Sequence, residues 1–237
     1  MKAFVLAGGL GTRLRPRFGE LPKALAPVGG RPFLALQLEH LAAAGVREAI
    51  LCTGFGAGAI RQSLGDGAGL GIRLRYSEEP EPLGTGGALQ LAAPLVNGPC
   101  LVANGDTLAP CDPWALERAR WECGALGAVA LFRVADPASR GRVDARGDGM
   151  VERFVEKDGS GTGPAWVNGG LYALAPEAWR RMPAPEPGRC AAVFSLEREL
   201  LPALAAEGRL AALRVDGEFY DIGTPEDWER ATRRFGA

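Results

Sequence analysis

A single histidine, His40, occurs in the chain of 237 residues, so a histidine-rich metal cluster is excluded and a Ser-His-Asp triad is disfavoured. His40 lies in the apolar stretch Phe33–Ala44, which has a helical pattern, and we interpret it as structural rather than catalytic. The five cysteines are odd in number, and no two of them have the Cys-x-x-Cys spacing of a zinc site or a redox pair. We therefore predict free thiols in a reducing compartment.

Long apolar runs and a strong net charge are also absent. No apolar run approaches the length of a membrane span, and the apolar opening Ala3–Ala7 is too short for the core of a signal peptide. The formal net charge of −1 gives no general attraction for nucleic acid or for an anionic membrane. We therefore predict a cytoplasmic protein with no nucleic-acid or membrane partner, which must bind any anionic substrate through local cations.

Strand-like apolar runs alternate with helical patterns along most of the chain, which is typical of a mainly parallel sheet covered by helices on both faces. The predicted strands are Ala3–Ala7, Ala49–Cys52, Ile72–Tyr76, Leu101–Ala103, Ala128–Phe132, Val151–Glu156, Val167–Ala173 and Leu210–Val215. The predicted helices are Pro32–Ala44, Ala57–Leu64, Gly87–Ala93, Pro113–Glu122, Ser195–Glu207 and Pro225–Arg234. A chain of 237 residues can bury one large core. We predict a single domain, 1–237, of the α/β class: a Rossmann-like three-layer α/β/α sandwich around a mainly parallel mixed sheet.

The first predicted strand runs directly into a glycine-rich segment, Gly8-Gly-Leu-Gly11, which is followed by Thr12 and Arg13. Glycines allow backbone N–H groups to approach an anion closely, because no side chain stands in the way. Arg13 and Lys23, which comes ten residues later, add two cations to the same region. The segment therefore predicts a polyphosphate site.

Three other interpretations of this glycine-rich segment are disfavoured. A Walker phosphate loop requires Gly-x4-Gly-Lys-Ser/Thr, and the chain contains no such run. The dinucleotide fingerprint requires a third glycine where this chain has Leu14, which disfavours a dinucleotide-dependent dehydrogenase. A strand-to-helix turn alone would explain the glycines, but it does not explain the Thr-Arg and Pro-Lys pairs that accompany them.

The sequence resembles the sugar-1-phosphate nucleotidyltransferases in six blocks that follow one another in the order of that family. The blocks are Leu6–Pro16 with Pro22-Lys23, then Glu81–Ala88, Asn104–Thr107, Phe154–Lys157, Val167–Tyr172 and Phe219–Asp227. One departure is visible, since Phe18 stands where many members have a small hydroxyl residue. Members with an appended β-helix or dimerisation region are longer, so we expect a catalytic domain alone.

The resemblance implies roles for four charged residues. Arg13 is expected to bind the β- and γ-phosphates of a nucleoside triphosphate. Lys23 is expected to neutralise the α-phosphate, with the incoming sugar phosphate as a further candidate partner. Asp106 follows an apolar strand beside the phosphate site, where a carboxylate is well placed to hold Mg²⁺. Asp221 is the second metal ligand that the resemblance implies, although from its own segment it would be interpreted as a turn residue.

The resemblance also divides the chain into a nucleotide-binding part, about 1–110, and a sugar-phosphate-binding part, about 111–237. The residues expected at the nucleotide are Leu6, Gly8, Gly9, Gly11, Thr12, Arg13, Gly84 and Thr85. The residues expected at the sugar phosphate are Asn104, Glu156, Lys157, Asn168 and Gly169. The reaction implied is attack of a sugar 1-phosphate on the α-phosphorus of the triphosphate, which yields a nucleotide-sugar and pyrophosphate.

Within this family, the blocks Leu83–Ala88, Asn104–Thr107 and Asn168–Tyr172 most resemble those of the short guanylyltransferases. This resemblance implies GTP as the nucleotide, with D-glycero-α-D-manno-heptose 1-phosphate or mannose 1-phosphate as the acceptor. The alternatives are uridylyl or thymidylyl transfer to N-acetylmuramate or glucose 1-phosphate, and a catalytically silent relative that only binds nucleotide-sugars. The presence of Arg13, Lys23, Asp106 and Asp221 together disfavours the silent relative. Both a monomer and a homodimer are compatible with the sequence.

Overall fold

The protein is described from a computed structural model that covers residues 1–137, 140–155 and 163–236. The strands are β1 Lys2–Leu6, β2 Pro27–Val28, β3 Arg31–Pro32, β4 Glu48–Thr53, β5 Arg73–Glu78, β6 Cys100–Asn104, β7 Thr107–Leu108, β8 Gly127–Val134, β9 Arg142–Ala145, β10 Val151–Val155, β11 Ala165–Leu174, β12 Leu210–Val215 and β13 Tyr220–Asp221. The α-helices are α1 Arg15–Phe18, α2 Phe33–Ala43, α3 Ala57–Leu64, α4 Gly84–Leu91, α5 Pro113–Glu122, α6 Pro176–Trp179, α7 Leu201–Ala206 and α8 Pro225–Phe235.

The main sheet has nine strands and is mixed. Its central part has the order β5-β4-β1-β6-β11-β8-β12, in which β5, β4, β1 and β6 are mutually parallel. Strand β11 is antiparallel to both β6 and β8, and β12 is parallel to β8. The hairpin β9–β10 joins the beginning of β11. The predicted mainly parallel mixed sheet is confirmed.

In strand β1, successive side chains pack alternately against the two helical layers that cover the sheet. Ala3 and Val5 belong to a buried cluster on one face, together with apolar side chains of α2, α3 and α5. Phe4 belongs to the cluster on the other face, with side chains of α4, α6 and α7, and its ring centroid lies 5.0 Å from that of Trp179. Because successive strand side chains point to opposite faces, both faces of the sheet are covered by helices. The predicted three-layer α/β/α arrangement follows.

A third, smaller cluster lies beside the end of the sheet and holds the segments that carry the charged residues. It brings Leu14 from the glycine-rich segment against Leu108 of β7 and Ile222 after β13. The ring of Phe18 packs edge-on against Trp228 of α8, with centroids 5.3 Å apart. The departure from the family pattern at position 18 is therefore a packing contact.

Element boundaries differ most from the sequence-based predictions at two places. The predicted helix Ser195–Glu207 is a π-helical turn, Leu196–Leu200, followed by α7. Helix α4 begins three residues earlier than predicted, at Gly84. The end of the predicted strand Val151–Glu156 lies outside the described residues. Among the described residues, no helix has the length and apolar character that crossing a membrane requires.

Candidate active site

The larger of two adjoining cavities, about 880 Å³, lies at the carboxyl ends of the parallel strands β1, β4, β5 and β6. Ligands bind at this edge in open α/β sheets. Five residues predicted to contact the nucleotide line this cavity: Leu6, Gly8, Gly9, Gly84 and Thr85. Gly11 and Thr12 are not among its lining residues, and Arg13 lines the neighbouring cavity.

Two glycines of the first loop are required for different reasons. A Cβ atom at Gly8 would lie 2.7 Å from Glu79 Oε1 and 3.2 Å from the backbone nitrogen of Gly54, so a side chain there would displace the Glu79 carboxylate and crowd the Gly54 backbone. Gly11 has a φ of +59°, and a Cβ atom there would lie 2.8 Å from Lys23 Cβ. Gly11 therefore has a local role, because it lets the loop pass closely over the Lys23 side chain. Its contact with the nucleotide stays a prediction.

The second cavity, about 270 Å³, is bordered by charged and polar side chains. Lys23, Asn104 and Asp106 line both cavities, so the two join at these residues. Lys23 Nζ lies 2.5 Å from Asp106 Oδ2, and the lysine side chain is only 13% exposed. The junction of the two cavities therefore holds an ion pair in which the lysine is nearly buried and the aspartate is 38% exposed.

Asp221 is brought beside Asp106 by a short antiparallel pair of strands. Asp221 of β13 lies opposite Thr107 of β7, and the backbone N–H of Ile222 donates to the carbonyl of Asp106 at 3.0 Å. The carboxylate of Asp221 accepts from the N–H of Gly223 at 2.6 Å. The two aspartates, which are far apart in the sequence, thus border the same cavity.

Gly223 marks the point where the charged groups converge. A Cβ atom at this position would lie 2.8 Å from Asp221 Oδ1. It would also lie 3.4 Å from Arg13 Nη2 and 3.6 Å from Lys23 Nζ. Any side chain at position 223 would enter this cluster, so the glycine keeps open a space bordered by two cations and a carboxylate.

The donor set of the cluster fits Mg²⁺. Among the described residues, no group of three or more His, Cys, Asp or Glu side chains could hold a metal ion. Mg²⁺ does not require such a cage, because it is usually bound by one or two carboxylates together with phosphate oxygens and water. Asp106 and Asp221 supply that number of hard oxygen donors at the wall of one cavity. The residues therefore fit a metal ion that binds together with phosphate.

The residues predicted to bind the sugar phosphate separate into three groups. Asn104 and Asn168 line the second cavity, and Asn168 is held by hydrogen bonds to the Tyr172 hydroxyl at 2.7 Å and from the Gly170 N–H at 2.9 Å. Gly169 instead packs on Phe132, since a Cβ atom there would lie 2.5 Å from the phenyl ring. Gly169 is absent from the cavity lining, which its neighbour Gly170 joins. Glu156 and Lys157 lie outside the described residues.

Thr85 lines the larger cavity and is connected by hydrogen bonds to the wall of the second cavity. The hydroxyl donates to Glu197 Oε2 at 2.6 Å and accepts from the N–H of Leu196 at 2.9 Å. Glu197 belongs to the π-helical turn and lines the second cavity. Single π-helical turns are frequent at functional sites, and this one was not predicted from the apolar spacing.

Glu79 is a further residue of the larger cavity that the sequence analysis missed. Its Oε2 accepts from the backbone N–H of Leu83 at 3.0 Å. Burial raises the pKa of this half-buried carboxyl above its ordinary value, although the Leu83 N–H acts in the opposite direction. Glu79 lies two residues before the block that begins at Glu81, and this position is the sequence signal that could have identified it as a site residue.

Comparisons with known proteins agree on one family. The family described as "Nucleotidyl transferase" matches residues 2–236. The chain is 37% identical over 233 residues to mannose-1-phosphate guanylyltransferase of Mycobacterium tuberculosis, covering 97% of this chain and 63% of that protein. It is 35% identical to the mannose-1-phosphate guanylyltransferase catalytic subunit beta of Danio rerio, covering 96% of this chain and 62% of that protein. The chain therefore spans less than two thirds of the length of these curated relatives.

A solved structure matches over nearly its whole length. HddC from Yersinia pseudotuberculosis superposes with a TM-score of 0.84 at 31% identity, covering 99% of both chains. The same protein has also been solved in complex with GMP-PN. The correspondence extends over the sheet and both of its helical layers.

Proposed function

The chain belongs to the nucleotidyl transferase family, and we propose that it transfers a nucleoside monophosphate from a nucleoside triphosphate to a sugar 1-phosphate. The supporting observation is the convergence of two cations and two carboxylates where the two cavities join. The larger cavity has the size of a small-molecule site and would hold the nucleoside. The smaller, polar cavity would hold the sugar 1-phosphate, so that its phosphate faces the α-phosphorus at the junction.

The chain's own residues would supply positioning and charge neutralisation. The attacking phosphate oxygen is already anionic, so the reaction needs no strong general base. Lys23, at the junction of the cavities, would neutralise the α-phosphate, and Arg13 would bind the β- and γ-phosphates and the departing pyrophosphate. Asp106 and Asp221 would hold Mg²⁺, which supplies further charge neutralisation and a template for the phosphate oxygens.

For the nucleotide we propose GTP, and the supporting residue is Glu79. Guanine presents two adjacent donors, N1–H and N2–H₂, whereas uracil and thymine present one N–H between two carbonyl oxygens. A carboxylate accepts from two donors and repels carbonyl oxygens. Among the described residues, Glu79 Oε1 has no hydrogen-bond donor, while Oε2 is fixed by Leu83. The guanylyltransferase names of the relatives support the same base.

For the acceptor we propose a manno-configured sugar 1-phosphate: mannose 1-phosphate or D-glycero-α-D-manno-heptose 1-phosphate. The names of the curated relatives support mannose 1-phosphate. The test is pyrophosphate release across a matrix of GTP, UTP, dTTP and ATP with manno- and gluco-configured sugar 1-phosphates and N-acetylmuramate 1-phosphate. We expect the highest kcat/KM with GTP and a manno-configured acceptor. A preference for UTP or dTTP would refute the base assignment, and no release with any pair would refute the transfer reaction.

Replacement of Glu79 by Gln is expected to raise the KM for GTP by about tenfold, the scale of one hydrogen bond to a charged group. The amide places a donor where guanine also presents a donor, so the preference for GTP over UTP should shrink by a similar factor. Steady-state kinetics with both nucleotides measure this change. The matched control is Glu207→Gln, because the Glu207 carboxylate is exposed, lies 3.3 Å from Arg181 and lines neither cavity.

The pH dependence of GTP binding tests the same assignment. Because the pKa of Glu79 is raised, protonation begins at a higher pH than for an ordinary glutamate. The KM for GTP should therefore increase as the pH falls through this raised pKa, since the protonated form accepts fewer hydrogen bonds. This increase should be absent from Glu79→Gln. An identical acid limb in both proteins would contradict the role of Glu79.

A further inference from the structure

Arg140 is a nearly buried cation that no sequence motif of the chain includes. It lies just before β9, and its side chain is 11% exposed and lines the second cavity. Its guanidinium carbon lies 4.7 Å from the centre of the Phe219 ring. Removing a cation from water is costly unless anions compensate it. The surroundings of Arg140 therefore need an explanation.

Two carboxylates compensate Arg140. Its Nη1 donates to Asp221 Oδ2 at 2.6 Å, and its Nη2 donates to Asp227 Oδ1 at 3.2 Å. Asp227 has a structural task as well, since its other oxygen is hydrogen-bonded to Thr224 at the beginning of α8. Asp221 is the carboxylate proposed to bind Mg²⁺. Nη2 of Arg140 is thus anchored to α8 through Asp227, and Nη1 neutralises the carboxylate that is proposed to bind Mg²⁺.

The charges around the second cavity suggest what Arg140 does when substrate is present. Among the described residues, Arg13, Lys23 and Arg140 are the three cations that line it. The proposed reaction brings two phosphate groups to the junction, and Arg13 and Lys23 are assigned to the triphosphate. The phosphate of the acceptor carries a charge between −1 and −2 near neutral pH and also requires cations. Lys157 is predicted to be one of them and lies outside the described residues, and Arg140 is the described cation of this cavity that the triphosphate leaves available. A planar guanidinium is well suited to phosphate oxygens.

We propose that Arg140 binds the 1-phosphate of the acceptor sugar and exchanges partners in doing so, an inference that rests on the proposed function. Without substrate, Nη1 of Arg140 neutralises Asp221. When the sugar 1-phosphate enters, its phosphate oxygen replaces the Asp221 carboxylate as the group that accepts the hydrogen bond from Nη1. Asp227 continues to hold Nη2. Asp221 then becomes free to bind the metal ion, so acceptor and metal binding assist each other.

Calorimetry with mannose 1-phosphate tests this proposal, with Mg²⁺ and a GTP analogue whose α–β bridge cannot be cleaved already bound. Arg140→Gln is expected to weaken mannose 1-phosphate binding by about 10- to 100-fold, the range for a hydrogen bond to a charged group. Unphosphorylated mannose should bind the variant and the parent equally weakly. Arg140→Lys should fall between them, because it keeps the charge and loses the fork. Binding of the GTP analogue itself should change by less than about threefold.

Two controls separate substrate binding from a purely structural role. Asp227→Asn weakens the anchor of Nη2 but keeps the cation, so it should weaken mannose 1-phosphate binding clearly less than Arg140→Gln does. Arg146→Gln removes an exposed arginine that pairs with Asp148 on the β9–β10 hairpin, and should change nothing. Unchanged binding by Arg140→Gln, equal losses in Arg140→Gln and Asp227→Asn, or no binding by the parent would each overturn the proposal. Binding through Arg140 without pyrophosphate release from any pair would instead refute the transfer reaction alone.

Discussion

Replacement of either Asp106 or Asp221 by Asn is expected to lower kcat by at least about a hundredfold, the scale of losing a dominant electrostatic contact. Asparagine preserves the size and much of the hydrogen bonding of each side chain but removes its charge. Both aspartates line the second cavity, and the strand pair β7–β13 holds them side by side. A metal ion shared by the two would lose half of its protein-derived negative charge in either variant.

The Mg²⁺ dependence distinguishes a metal ligand from a counter-ion. Asp106 is paired with Lys23 and Asp221 with Arg140, so loss of either carboxylate also removes one anionic partner of a cation. If the carboxylates bind metal, the Mg²⁺ concentration that gives half-maximal rate should rise in both Asn variants. A fall in kcat with an unchanged Mg²⁺ dependence would leave them as counter-ions only. Normal turnover of both variants at limiting Mg²⁺ would contradict the assignment altogether.

Asp148→Asn is a matched control for this experiment. Asp148 is exposed on the β9–β10 hairpin and pairs with Arg146, away from both cavities. Its replacement should leave kcat and the Mg²⁺ dependence unchanged. Thermal unfolding of all three variants shows whether a loss of rate arises from a loss of folded protein.

The sheet could be predicted because its strands carry a strong apolar signal. In β1, every interior side chain is buried against one helical layer or the other. The beginning of α4 was missed for a physical reason, since Gly84, Gly86 and Gly87 are poor helix formers. Packing requires them: a Cβ atom at Gly86 would lie 2.2 Å from the Phe194 ring, and one at Gly87 would lie 2.2 Å from the Ala192 carbonyl.

The candidate site could be predicted in part, because some of its residues lie in compact motifs. The glycine-rich loop, Lys23 and Asp106 stand in recognisable blocks, and the structure brings them together as expected. Arg140 and Asp221 are separated by 81 residues, and nothing in the sequence around Arg140 indicates that it contacts Asp221. Such a contact arises from tertiary packing alone. The roles of all these residues remain predictions until the variants are measured.

Arg13 should be far more sensitive to substitution than its neighbours Arg15 and Arg17. Arg13 Nη2 reaches the cluster around Gly223, whereas Arg17 is 45% exposed, pairs with Glu229 and stacks 4.2 Å from the Trp228 ring centre. Arg13→Ala is expected to lower kcat by about 100- to 1,000-fold, because the charge that develops on the leaving pyrophosphate loses its cation. Arg17→Ala should lose at most about threefold, as is typical for exposed ion pairs.

Arg13→Lys tests whether geometry matters in addition to charge. An ammonium group is a point charge and cannot reproduce the two parallel hydrogen bonds of a guanidinium, so kcat should still fall by at least about tenfold. Inhibition constants provide an independent measurement. If Arg13 binds the β- and γ-phosphates, the inhibition constant of the product pyrophosphate should rise in both Arg13 variants. The inhibition constant of GMP, which lacks these phosphates, should not rise. Equal losses at Arg13, Arg15 and Arg17 would mean that the loop provides a diffuse basic patch. In that case the triphosphate would be attracted to the cavity without being held in register for in-line attack.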